Sequence, residues 1–213
     1  MAKQDLLDAA TLQLVRFAAA IAQGYEPELR TQAQACKTEQ VPVPWVEELL
    51  LQSLLMAGYP RVLIAFGIWR KVAKVPPPRS DADAEYGKAA EWTTRGEATC
   101  ELVYGPNYRR LRENVRELHP ALDLWMITEG YGRTMSRPGL DLLLRELCTV
   151  AQTAVMEAPR QLHSHLQGAL HAGATFQQLE GVLGVVNPLL SYDQWKKVKE
   201  LWQTVRDGWD PEE

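Results

Sequence analysis

The stretch LDLLLRELCTVAQTAVMEAPRQLHSHLQGALH, residues 140–171, decides the fold. Leu143, Leu144, Leu147, Val150, Ala151 and Val155 recur at three- and four-residue spacing, the period of one helical face. Pro159 suits the first turn of a second helix, which runs to about His171 and stops at Gly173. Moving toward the C-terminus, Thr175 is an N-cap for 176–186. Ser191-Tyr192-Asp193 opens a last helix, on which Trp195, Trp202 and Trp209 form one packing or subunit stripe. In the other direction, helices are expected over 5–23 (stopped by Gly24), 27–37, 44–57 (stopped by Gly58) and from Pro60 to about Val72. Residues 73–101 open with the stiff spacer Pro76-Pro77-Pro78 and predict a loop-rich linker with a short helical piece. Helices over 107–118 and 120–128 lead to a turn at Gly130-Tyr131-Gly132. The expected fold class is all-α.

Composition narrows the function. The chain has 213 residues, 46% hydrophobic and 23% charged, enough for a core that needs neither metal nor disulfide. A net charge of −4 offers no basic excess for nucleic acid. Apolar runs look too interrupted for a membrane span, and the N-terminus has no signal-peptide pattern. Cys36, Cys100 and Cys148 are odd in number and far apart, which suits a reducing cytoplasm. No Gly-rich phosphate loop and no Gly-x-Ser-x-Gly occurs. His163 and His165 point to different sides of one helix, and His171 lies two turns beyond His163, so no metal is expected.

The two ends share a helix order. Arg16–Gln23 set on Arg145–Gln152 matches Arg, Ala and Gln, and Leu29–Leu50 set on Leu162–Leu183 needs no gap and carries Tyr59 onto Tyr192. The expected organisation is a first repeat over 1–75, a middle segment over 76–137 and a second repeat over 138–213.

The segments SRPGLDLLLREL (136–147), QLHSHLQGALHAGAT (161–175) and QQLEGVL (177–183) resemble the carboxymuconolactone decarboxylase family, and VEELLLQSLLMAGYPRVLIAF (46–66) resembles its later portion. The resemblance implies an all-α fold of helical repeats. It implies either cofactor-free decarboxylation or, in the alkylhydroperoxidase D branch, thiol peroxidase activity. In that branch a Glu stands 19 positions before a His, with a Cys-x-x-Cys between them. Here Glu146 stands 19 before His165, but Ala158 and Gln161 hold the cysteine positions. In the first repeat the Glu and His positions fall on Phe17 and Gln32, which predicts a filled, structural counterpart. Rings of six repeats in the family imply a homotrimer of two-repeat chains.

Decarboxylation needs a proton donor to carbon and a neighbour for the oxygen that takes up the electrons. His165 can supply the proton, and Glu146 can orient the imidazole and favour its protonated form. Arg137 or Arg160 could hold the substrate carboxylate, and Tyr131 could line the pocket. No cofactor is required. The favoured expectation is a carboxy-lyase acting on a small carboxylated lactone or related acid. The alternatives are a peroxide-reducing antioxidant protein, disfavoured by the missing thiols, and a non-catalytic protein of binding or assembly.

Overall fold

The computed structural model describes residues 7–210. Among them every regular element is helical: α1 (Ala9–Gln23), α2 (Glu26–Thr38), α3 (Val43–Ala73), α4 (Ala89–Tyr104), α5 (Tyr108–Leu118), α6 (Pro120–Trp125), α7 (Leu142–Val155), α8 (Pro159–His171), α9 (Phe176–Val186) and α10 (Tyr192–Asp207), with short 3₁₀ turns between some of them. The first helix was expected from residue 5; Leu6 lies outside the described residues, and the helix begins after Asp8, which caps it by accepting from the Thr11 amide.

α1 and α7 pack side by side at the centre. Each is buried on more than one face, from Leu14 to Ala22 in α1 and from Leu144 to Ala154 in α7, Arg16 excepted. Around them α1 is covered by α2, α3 and α9, and α7 by α8, α9 and α3. Only three residues separate α7 from α8, so the two run back along each other. The capping signals hold: Thr175 and Ser191 each form a full capping box, with Gln178 and Gln194. Trp195 and Trp202 of α10 pack on the core, and Trp209, expected on the same helix, lies just beyond its end. Trp202 meets Phe176 edge-on at 5.7 Å, and Trp209 lies 4.9 Å from the His171 ring.

The helices expected over 44–57 and from Pro60 are both present and abut within α3, separated by a break where Gly58 adopts the non-helical φ 72° and ψ 169°. That conformation is open to glycine at little cost and lets Pro60 start a fresh helical turn. Taken as one helix, α3 is long and apolar enough to cross a membrane by length and composition, but Gly58, Pro60 and Arg61 interrupt its apolar run. Gln52 and Ser53, buried in α3, bond to Thr149 and Gln152 of α7, as in a core helix.

The middle segment is far more helical than a loop-rich linker. α4 has 16 residues, and its buried stripe is Trp92, Gly96, Cys100 and Val103. A glycine inside that stripe hides the helical period. Finally, Gly130-Tyr131-Gly132 is no turn: the chain continues after α6 as a wide π-helical stretch, Met126–Met135, in which the Ser136 amide reaches back to the Tyr131 carbonyl. The glycines serve close approach. A Cβ on Gly96 would overlap the Ile127 carbonyl, and one on Gly132 would overlap the Trp92 carbonyl. α4 and the π-helical stretch therefore cross almost backbone to backbone.

Candidate functional site

α7 carries Glu146 and α8 carries His165, and the antiparallel pairing brings them together. Glu146 Oε2 lies 2.8 Å from His165 Nδ1. Glu146 is fully buried, and His165 is 6% exposed. An ionised carboxylate can only accept, so the contact puts the ring proton on Nδ1 and leaves Nε2 as a lone-pair nitrogen. Glycine makes the approach possible. A Cβ at Gly168, on α8 three residues after His165, would stand 2.9 Å from Glu146 Oε2 and 2.6 Å from a Val103 methyl. Glu146 Oε1 is buried with no hydrogen-bond partner. Such an atom costs about 1–3 kcal/mol unless a ligand or water satisfies it.

His165 opens onto a half-open cavity of about 520 Å³. Leu55 and Met56 of α3 form one wall, Tyr104 of α4 another, and Leu122, Trp125, Met126, Tyr131 and Met135 the third. Glu129 lines the rim, with its charge engaged by Arg133 at 3.0 Å. The Tyr104 and Tyr131 rings meet edge-on, centroids 6.1 Å apart. Burial pushes the Tyr104 phenol up to about 12 and the Tyr131 phenol well above its ordinary range. Both stay protonated near neutral pH and can donate.

The arginines lie elsewhere. Arg137 is engaged by Glu48 at 3.0 Å and Asp81 at 2.6 Å, and it does not line the cavity. Arg160 is exposed at the start of α8, also away from the cavity. Tyr131 does line it. Ala158 is the residue before α8, and Gln161 is exposed. All three cysteines are free and buried. Burial pushes the Cys36 and Cys100 thiols up to about 12 and the Cys148 thiol higher still, so none offers a thiolate near neutral pH. No group of three or more His, Cys, Asp or Glu side chains that could hold a metal occurs among the described residues.

Phe17 is fully buried in the core, but Gln32 is not part of a filled counterpart. It lines an open cavity of about 400 Å³ with Arg16, Gln23 and Glu28. Sequence reasoning also missed Tyr104, which lies between the linker expected over 73–101 and the helix expected from 107 and in fact ends α4, and Gly168, whose sequence signal was only its place one turn beyond His165.

Residues 121–204 match the carboxymuconolactone decarboxylase family. The matched stretch lies in the second half of the chain. It starts within α6, so it includes the π-helical stretch as well as α7 and α8, and it contains both Glu146 and His165. The chain is also similar to Peroxisomal protein 2 of Schizosaccharomyces pombe (strain 972 / ATCC 24843), with 27% identity over 144 residues. That alignment covers 64% of this chain and 64% of the relative. The name of that relative lends no support to a cytoplasmic location for this one.

Proposed function

We propose that the cavity beside His165 is the active site of a cofactor-free enzyme of decarboxylase type, acting on a small, largely apolar acid with a carbonyl next to the scissile bond. The observation that carries the reading is the 2.8 Å contact between the Glu146 carboxylate and the His165 ring at the edge of an apolar cavity. In the reaction, the bond between the carboxylate carbon and its neighbour breaks, and carbon dioxide leaves. The electron pair moves onto the carbonyl oxygen, which can accept from a protonated phenol of the cavity wall, Tyr104 or Tyr131; the two are hydrogen-bonded to each other, so one of them is the donor. In the doubly protonated ring, with one proton on Nδ1 facing Glu146, His165 gives its Nε2 proton to carbon, returns to the neutral form with Nε2 bare, and takes a new proton from solvent before the next turnover. No Arg or Lys lines this cavity, so the departing carboxylate has no ion-pair partner there. This favours a monoacid over a substrate held by Arg137 or Arg160.

The free, buried cysteines suit a reducing compartment. We propose the cytoplasm, with the peroxisome interior suggested by the relative's name.

The test is a panel of β-keto acids and carboxylated lactones in D₂O, followed by NMR. A substrate should lose carbon dioxide and gain deuterium at the same carbon. His165→Gln and Glu146→Gln should each lower that rate by about 10²-fold or more while the protein stays folded. Unchanged turnover in His165→Gln would reject the assignment.

A further inference from the structure

We infer that the N-terminal half carries a second ligand site, a carboxylate pocket built around Arg16. It is a separate cavity from the one beside His165, with no lining residue in common.

The register of the two halves points to it. With Arg16 on Arg145 and Leu29 on Leu162, burial agrees along the chain. Leu29 and Leu162, Ala33 and Leu166, Cys36 and Ala169, Val46 and Leu179, Leu49 and Val182, and Leu50 and Leu183 are all buried. In that register Glu48 answers to Gly181, and Gln52 to Val185.

The polar clusters of the two halves are very different. In one, Arg145 is fully buried and fully engaged. It donates to Glu48 Oε2 at 2.7 Å, to Gln52 Oε1 at 3.3 Å and to the Leu140 and Arg137 carbonyls. Gln152 donates to Ser53. In the other half the carboxylate is replaced by a hydrogen atom at Gly181, and the amide by an isopropyl group at Val185. Arg16 is left with no ion pair among the described residues. A cavity of about 400 Å³ opens there, and Arg16, Gly181 and Val185 all line it. A Cβ on Gly181 would meet Leu7 at 3.2 Å, so the cavity lies beside Gly181 rather than along the path a side chain there would take.

A ligand carboxylate can enter that cavity. Guanidinium and carboxylate match as a two-point pair, and Arg16, exposed and without an ion pair, is open to one from solvent. Glu28 also lines the cavity and accepts from Gln32 Nε2 at 2.6 Å. Its negative charge opposes a second anionic group, so the site fits one carboxylate. Leu12, Val185 and Leu189 offer an apolar wall for the remainder. The ligand class is therefore a small monocarboxylate with an apolar body.

Benzoate is a suitable probe, with benzamide as its uncharged isostere. ¹H–¹⁵N NMR on the full chain should show benzoate moving resonances of residues 12–23 and 181–189 at constant ionic strength. Benzamide should bind at least tenfold more weakly. Arg16→Gln should lose the response in these residues, whereas His165→Gln should keep it, because that change touches only the other cavity. A response equal for benzamide, or retained in Arg16→Gln, or absent in the parent protein, would overturn the proposal.

Discussion

At the scale of single residues, the contact between Glu146 and His165 depends on what is missing at position 168. A methyl group there would enter the space of the Glu146 carboxylate and of Val103. Gly168→Ala should therefore displace the carboxylate, at a cost of about 1–3 kcal/mol in overpacking. Turnover on whichever acid the parent protein decarboxylates should fall about tenfold or more, because catalytic geometry tolerates little displacement. Paired melting and rate measurements check both. A Gly168→Ala protein with parental turnover would show that the Glu146 position is not critical. The pair itself was legible in the sequence only through the family's spacing of Glu and His. Tyr104, Leu55 and Met56 were not, since they reach the cavity from helices far away in sequence.

At the scale of elements, the middle segment is held together internally by charge as well as by glycine contacts. Asp123, 4% exposed in α6, accepts from Arg112, and from Arg116 at 2.7 Å. Hydrogen bonding from Arg112, reinforced by Arg116, holds its carboxyl below the usual carboxylate range, against the opposing effect of burial. A lowered folded value means that the stabilisation is complete above the ordinary value of about 4 and is lost as pH falls through the folded value. Asp123→Asn should cost about 2 kcal/mol at neutral pH, and the difference from the parent should shrink as acid is added. Urea unfolding at several pH values measures it. A constant difference down to pH 3 would refute the ionic account. These elements also show where sequence reading stops. Thr175 and Ser191 announce their helices through local capping, which needs no neighbour. α4 has no side-chain cap and places Gly96 in its buried stripe, so its signal exists only against the π-helical stretch that Gly96 touches. Gly132 reads as a turn for the same reason: its purpose is the distant Trp92 carbonyl.

At the scale of the whole molecule, large apolar side chains remain at the surface. Tyr59 and Leu63 of α3 are each about two-thirds exposed, with Ile64, Leu122, Leu124 and Trp125 also exposed. Where such residues gather, they mark contact sites. We expect the chain to assemble, with three copies as the first count to test, and Leu63→Glu to shift light scattering toward a smaller species. A monomer in the parent protein at micromolar concentration would contradict this. The central claim remains the Glu146–His165 pair at the edge of the cavity. Its most direct test is long-range ¹H–¹⁵N NMR of the histidine rings, read where His165 is neutral. The Nδ1-protonated form should dominate, with Nε2 bare, and Glu146→Gln should redistribute the two forms. A ring protonated on Nε2 in the parent protein, unaffected by Glu146→Gln, would contradict the account.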